Sequence, residues 1–335
     1  MSEQFPGGLL LAADGGNSKT DVAVIAADGT LLGRARGLGF RPQVVGMDAA
    51  MEVLSGLRTQ ALDAAGLSPR TTADGIAAFL AGADLPAEVR ELRRAVAARG
   101  WATAQHVDND TFAVLRAGAS RPWGVAVVCG TGINCVGVAP DGRTSGFPAL
   151  GKISGDWGGG SDLGAAALWH AARDENGRGP RTALRAAVTA HFGLDTVTDV
   201  ALALRRGQLA ELRLSELCPA VFTCCDQGDP TAAALVDRLG DEVAGMALSV
   251  LRRLGLDRQD VEVVLGGSIL AARHERLLTR VASRLLAGAP SARPLVSTAP
   301  PLLGAALAAL ALRPSSTANA ATTRAAEARL RAGIR

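Results

Sequence analysis

Aromatic side chains are scarce in this chain, only 3% of 335 residues. A core for a chain of this length must then come from Ala, Val and Leu, as in sheets covered by helices. Lysine is scarcer still. Of the 35 Lys and Arg residues only Lys19 and Lys152 are lysines, and both lie in glycine-containing loops. Wholesale use of Arg reflects a bias towards GC-rich codons, and a compact ammonium is physically unlike the planar guanidinium that replaces it elsewhere. No apolar run approaches the roughly 18 residues of a membrane span. The opening MSEQFPGG lacks the basic and hydrophobic regions of a signal peptide. The five cysteines (Cys129, Cys135, Cys218, Cys224, Cys225) contain no CxxC pair, and their odd number argues against a secreted disulfide framework. Net charge is +3, and no basic block is interleaved with aromatics. These absences lead to the expectation of a soluble cytoplasmic protein with neither a membrane nor a nucleic acid as partner.

What is present begins with LLLAADGGNSKTDVAVIAADG, residues 9–29. Two apolar strands flank a bend that carries far more chemistry than a hairpin needs. LLGRARG follows as a third strand, then an amphipathic helix over 44–65 that stops at Gly66. GIAAFLAG (75–82) reads as a buried strand and 86–99 as a helix with Pro in its first turn. AQHVD is a short strand, and a helix starts at 111–117. The pattern then begins again: WGVAVVCGTGINCVGVAPDG (123–142) has the strand, small-residue bend, strand and turn of the opening segment, an internal duplication. SGDWGGGSDLG (154–164) is too rich in glycine for a regular element. A mainly helical region covers 165–253, VEVVLGGS (261–268) is a strand ending in a Gly pair, and 302–312 is a last apolar helix. Beyond Pro314, SSTANAATT reads as a flexible linker and 324–335 as a solvated helix or a disordered end.

The bend Asp14-Gly15-Gly16-Asn17-Ser18-Lys19-Thr20 has the groups to hold a phosphate and a metal ion. Glycines let backbone N–H groups approach phosphate oxygens. Ser18 and Thr20 add hydroxyls, Lys19 a charge, and Asp14 a carboxylate for Mg²⁺. It is not a Walker A loop, since GxxxxGK[ST] does not occur. The plain alternative is a hairpin with a polar tip. The second bend, Cys129-Gly130-Thr131-Gly132-Ile133-Asn134, offers backbone donors and one hydroxyl, and duplicated bends of this kind can clamp a polyphosphate. Asp108-Asn109-Asp110 ends a strand and opens a helix, where it serves either as a cap or as a source of a carboxylate base, each role falling to a different residue. Ligands of open α/β sheets bind beyond such strand ends. Trp157 among glycines suggests a loop packed over something. Gly266-Gly267-Ser268 lets a planar base lie against backbone. His106, His170, His191 and His274 show no metal-ligand spacing and read as structural or exposed.

DGGNSKT, an Asn-Asp pair opening a helix, CGTGINC, a GD-plus-glycine loop and VVLGGS occur in that order. Over residues 9–312 the chain resembles the BadF/BadG/BcrA/BcrD-type ATPases, and within them the N-acetylglucosamine kinases, of the sugar kinase, actin and heat-shock chaperone superfamily. The resemblance implies an α/β fold of two ribonuclease-H-like (actin-like ATPase) domains with a nucleotide cleft between them. Residues 1–118 form the first domain, joined by a returning helix at 302–312, and 119–301 the second with a helical insertion, leaving 313–335 as a tail. It implies ATP and Mg²⁺ as cofactors, a small-molecule sugar as substrate, and a homodimer. Asp14 matches the metal site, Gly15 to Thr20 the first phosphate loop and Gly130 to Gly132 the second. Asp110 matches the catalytic base, Gly266 to Ser268 the adenosine motif. Asn109, Asn134, Cys135, Gly151 and Asp156 fall on the sugar side.

Three positions depart from that pattern, all on the sugar side. Arg41 stands where such kinases have Asn before Pro or His, Ala149-Leu150-Gly151 replaces GWG, and Trp157 replaces the Glu of GDEGS. Arg41 suits a carboxylate or phosphate on an acidic substrate. The reading is therefore an ATP-dependent kinase of a hexose or amino sugar, N-acetylglucosamine or a relative. The alternatives are an unusual or acidic sugar or cyclitol as acceptor, a non-catalytic sugar or nucleotide sensor, and, last, an iron–sulfur dehydratase activator, whose cysteine ligands this spacing does not supply.

Overall fold

The computed structural model of the chain describes residues 8–313 and 320–335. It divides into two compact units, Met1–Gly124 with Ser297–Arg335, and Val125–Val296. In the first, β1 (Leu9–Gly15), β2 (Lys19–Ala26) and β3 (Leu31–Leu38) form an antiparallel meander. A one-turn helix α1 (Pro42–Val45), helix α2 (Met47–Ala64), β4 (Ala73–Leu80), α3 (Pro86–Ala98), β5 (Ala102–Asn109) and α4 (Asp110–Gly118) follow. The sheet order is β3-β2-β1-β4-β5, with β4 and β5 parallel to β1. Successive strand residues point to opposite faces, and here both faces are covered. Leu9, Leu11 and Ala13 pack with Met51 and Leu54 of α2, whereas Leu10 and Ala12 pack on the opposite side. That explains why the strand LLLAA shows no polar alternation.

The second unit holds β6 (Gly124–Cys129), β7 (Ile133–Val138) and β8 (Thr144–Gly146). Helices α5 (Gly159–Glu175), α6 (Leu184–Phe192), α7 (Val197–Arg205), α8 (Cys218–Asp226) and α9 (Pro230–Leu254) come next, then β9 (Val261–Gly266), α10 (Ser268–Ala271), α11 (Glu275–Gly288) and β10 (Ala292–Val296). Its sheet order, β8-β7-β6-β9-β10, repeats that of the first unit strand for strand. The chain then returns to the first unit through α12 (Pro301–Leu310) and α13 (Ala320–Gly333).

The structure revises several expected elements. The expected helix over 44–65 is two helices, because Gly46 at φ 83° breaks the backbone between them. The glycine-rich stretch 154–164 is partly regular: α5 starts at Gly159. A Cβ at Gly164 would collide with the Leu214 carbonyl and one at Gly160 would press on Ser215, so these glycines serve close helix packing. Strands β8 and β10, short and half-exposed, carried no clear alternation. Much of the expected linker, residues 314–319, lies outside the described residues, and its last part begins α13. The segment 324–335 is not a solvated or disordered end. Ala326, Leu330 and Ile334 recur every four residues and are buried against the β1–β2 face and α12. No described helix is long and apolar enough to cross a membrane.

Candidate functional site

In the first unit the bend after β1 is short and tightly braced. The Gly16 N–H donates to the Lys19 carbonyl at 3.0 Å, closing the turn, while Asn17, Ser18 and Lys19 project into solvent. The Ala81 N–H donates to the Gly15 carbonyl at 2.6 Å and the Phe40 N–H to the Gly16 carbonyl at 2.9 Å. A Cβ at Gly15 would run into Leu80 and Phe40. Thr20, expected among the phosphate-binding groups, is fully buried in β2, and its hydroxyl has no hydrogen-bond partner there.

Carboxylates gather behind this bend. Asp14 is buried, and burial, with the Asp110 and Asp21 charges behind it, holds its carboxyl well above the usual carboxylate range. Asp21 is neutralised by Arg34 and Arg36, each at 2.8 Å. Asp110 opens α4, and a Cβ at Gly16 would lie 3.9 Å from its Oδ2. Burial pushes Asp110 up to about 6, opposed by the Thr111 N–H at the helix start. Asp84, which the sequence reading passed over, is pushed up to about 7 by burial and then by Asp110 and Glu88. It follows β4 as Asp110 follows β5, and that shared position beyond a parallel strand was the available signal. Asn109 is the cap: its Oδ1 accepts from the Thr111 N–H at 2.9 Å, and its Nδ2 donates to Asp84 Oδ1 at 2.8 Å.

Hard oxygen donors whose charges repel in a buried setting fit a divalent cation of the Mg²⁺ type, which would favour the ionised carboxyls. Arg41, at the start of α1, is exposed; its carbonyl accepts from the Val44 and Val45 N–H groups, while its guanidinium has no ion pair or hydrogen bond among the described residues. Its neighbour Phe40 ties that segment to the glycine bend, so Arg41 stands close to it.

In the second unit the CGTG bend is fastened to the start of α5. The Gly160 N–H donates to the Gly130 carbonyl at 2.8 Å and the Ser161 N–H to the Thr131 carbonyl at 3.0 Å. Gly159, at φ 75°, lies so close to Thr131 and Gly132 that a Cβ has no room. Gly267, at φ 87°, presses on the Cys129 backbone in the same way. These contacts frame a pocket of about 560 Å³. Gly130, Thr131, Gly160 and Ser268 form one wall, and Pro219, Phe222, Ile269 and Ala272 make the remainder largely apolar. The Thr131 and Ser268 hydroxyls together with flat apolar groups suit a nucleotide. Ser215, Glu216 and His274 also line it. None of the helical lining was foreseen, because α8 and the 211–217 turns carry no motif. Gly266 ends β9 behind the pocket, buried.

The GD loop forms a separate cluster. The Asp156 carboxylate is buried, 2.5 Å from the Ser154 hydroxyl, and the Asp156 N–H donates to the Gly151 carbonyl at 3.1 Å. Trp157 is buried under the Arg238 guanidinium, 3.9 Å from the ring centroid. Lys152 pairs with Asp162 at 3.2 Å, and Asp162 accepts from the Gly158 N–H. Asn134 Oδ1 accepts from the Cys135 N–H at 2.7 Å, and the Cys135 side chain is fully buried. Ala149 has φ 51°, a left-handed backbone more natural to glycine.

A family model described as the BadF/BadG/BcrA/BcrD ATPase family matches residues 13–309. Among curated proteins, an N-acetyl-D-glucosamine kinase of Dictyostelium discoideum is 26% identical over 208 residues, 61% of this chain and 65% of that protein's length. An N-acetylmuramic acid/N-acetylglucosamine kinase of Clostridium acetobutylicum is 23% identical over 264 residues, 78% of this chain and 85% of the other. Among solved structures, a Chromobacterium violaceum protein described as a candidate N-acetylglucosamine kinase superposes with TM-score 0.70 at 23% identity, covering 90% of this chain and 98% of its own. That likeness places the chain in the actin-like ATPase fold.

Proposed function

This chain belongs to the BadF/BadG/BcrA/BcrD ATPase family, and from that premise we propose that it is an ATP-dependent sugar kinase acting on an N-acetylated amino sugar. The observation that carries the reading is the place of Asp110. Its carboxyl lies beside the glycine bend, 3.9 Å from where a Gly16 Cβ would be, and is pushed up to about 6. A base with a pKa slightly below neutrality is ionised at pH 7 yet still basic enough to take a hydroxyl proton.

Bound ATP with Mg²⁺ supplies the phosphoryl group and neutralises its charge. The chain's own part is positioning. Gly15 and Gly16 shape the turn from which Asn17, Ser18 and Lys19 hold phosphate oxygens, with Asp14 and its neighbours as the metal-holding acids. In the second bend, where the Gly130 N–H closes on the Gly132 carbonyl, the Thr131 hydroxyl offers a further donor. Asp110 accepts the proton of the acceptor hydroxyl as that oxygen attacks. Asn109, locked between Thr111 and Asp84, fixes the start of the helix on which Asp110 stands. The 560 Å³ pocket takes the adenosine.

An acidic amino sugar is the second reading for the acceptor. Arg41 favours it, as an exposed guanidinium beside the bend without an ion pair among the described residues, and one relative is named for N-acetylmuramic acid. The test is ATP consumption by the purified protein with N-acetylglucosamine, N-acetylmuramic acid, plain hexoses and sugar acids, with product masses measured. We expect one added phosphate on an N-acetylated sugar and its loss in Asp110→Asn. A silent panel with ATP still bound overturns the reading.

A further inference from the structure

Helix α13 lies beyond residues 13–309, the part matched by the family model, yet it is bolted to the first unit at two places. At one, Arg329 bonds the Asp28 carbonyl and carboxylate, and Arg313, which precedes the helix and donates to Thr323 within it, also donates from Nη1 to the Ala27 carbonyl at 2.8 Å, gripping the β2–β3 turn. Gly29 in that turn has no room for a Cβ because the Ala326 backbone fills the space. At the other, Arg331 donates to the Ala117 carbonyl at 3.1 Å and the Ala119 carbonyl at 3.4 Å, and Glu327 pairs with Arg116 at 2.6 Å. All three contacts fall at or just past the far end of α4, whose first residue is Asp110.

A helix leaves its last carbonyls without internal partners, and a cation there also meets the negative end of the helix dipole. Arg331 satisfies both needs. The middle of α4 is held separately by α12, where Gly304 touches the Ala113 carbonyl so closely that a Cβ has no room. Asn109 holds the start of this nine-residue helix and Gly304 its middle, and contacts at the far end limit the tilt that those two points still allow. We propose that Arg331, with Glu327, is a positioning residue for catalysis, fixing through α4 the place of the Asp110 carboxyl beside the glycine bend. The proposal rests on the reading of Asp110 as the base.

The test compares Arg331→Ala, Glu327→Gln and Arg331→Lys in the full chain, using the sugar that the panel identifies. Displacing a reacting group by about 1 Å is enough for losses on the order of a hundredfold. We expect kcat to fall about ten- to a hundredfold in Arg331→Ala, with KM for ATP unchanged and the acid limb of kcat displaced from about 6. Arg331→Lys, which keeps the charge and one donor, restores part of the loss. Leu330→Ala, which loosens the same helix through its apolar face, reproduces the pattern if Arg331→Ala folds poorly. A lowered melting temperature with kcat and the acid limb both unchanged overturns the proposal and leaves α13 a purely stabilising element. Should Asp110→Asn retain turnover, it is the base assignment that fails, and the two failures are thereby told apart.

Discussion

Asn109 binds Asp84 through a 2.8 Å hydrogen bond from its Nδ2, while the oxygen of the same amide caps α4. One side chain thus joins the loop after β4 to the helix that carries Asp110. The arrangement puts two carboxyls with raised pKa values, about 7 and about 6, within electrostatic reach of each other. Groups so coupled lose their protons as a pair.

The first prediction concerns that coupling. Asp110 must be ionised to act as a base, so turnover rises with pH through about 6. Asp110 loses its proton first, while Asp84 is still mostly neutral, and the Asp110 charge then holds Asp84 up; Asp84→Asn keeps an oxygen for Asn109 to bond. The acid limb of kcat in Asp84→Asn should therefore stay near 6, measured in profiles from pH 5 to 8. A limb displaced to lower pH means that Asp84 is already charged when Asp110 ionises.

Phe222 tests the pocket of the second unit. Its ring lies 4.7 Å from that of His274, and both side chains line the cavity. Stacking a base on an aromatic ring contributes about 1–3 kcal/mol. Phe222→Ala should weaken ATP binding by roughly ten- to a hundredfold, with kcat at saturating ATP near that of the parent. Calorimetric titration of ATP, or of a non-hydrolysable analogue, reads this directly. Unchanged affinity puts the base elsewhere.

Close packing at glycine gives a third prediction. Gly164 meets the Leu214 carbonyl and Gly304 the Ala113 carbonyl, with no space for a methyl group at either. Overpacking of this kind costs about 1–3 kcal/mol. Gly164→Ala and Gly304→Ala should each lower the urea midpoint, although alanine is the better helix former in isolation. Only Gly304→Ala should also depress kcat, because the displaced neighbour is α4.

Legibility in the sequence followed the strength of the local signal. The two glycine bends are spelled out by residues with few other reasons to stand together, and the repeated strand–bend–strand layout recurs as two sheets of the same order. The place of Asp110 at the start of a helix was legible because Asn109 and Asp110 stand where a strand ends. Asp84 was hidden, since GADLP carries one acid and no partner nearby; its significance comes from Asn109, 25 positions on. The pocket's apolar wall on α8 was illegible for a related reason: CPAVFTCCD has no motif, and folding alone brings it opposite Ser268. The tail misled because its composition is polar, while three apolar residues spaced four apart suffice to dock it.

The last prediction follows from proton linkage. Asp84 is held at about 7 in the folded protein, above the ordinary aspartate value of about 4. Between those values the folded state binds more protons than the unfolded one, so this group's contribution to stability is present at low pH. It is lost as pH rises through about 7. His106 and His170 act in the opposite sense, because burial holds both below their ordinary value. The pH dependence of the parent alone therefore mixes the two effects. The difference between the parent and Asp84→Asn isolates the carboxyl. From pH 5 to 7 this carboxyl is charged in the unfolded chain yet still mostly neutral in the folded one, so the variant, which never has to bury that charge, should become progressively the more stable relative to the parent. Towards pH 8, where Asp84 is charged in both states, the gap should level off. Melting curves in chelator at pH 5, 6, 7 and 8 measure the gap. A gap that stays constant would show that Asp84 ionises in the folded protein as freely as in the unfolded chain.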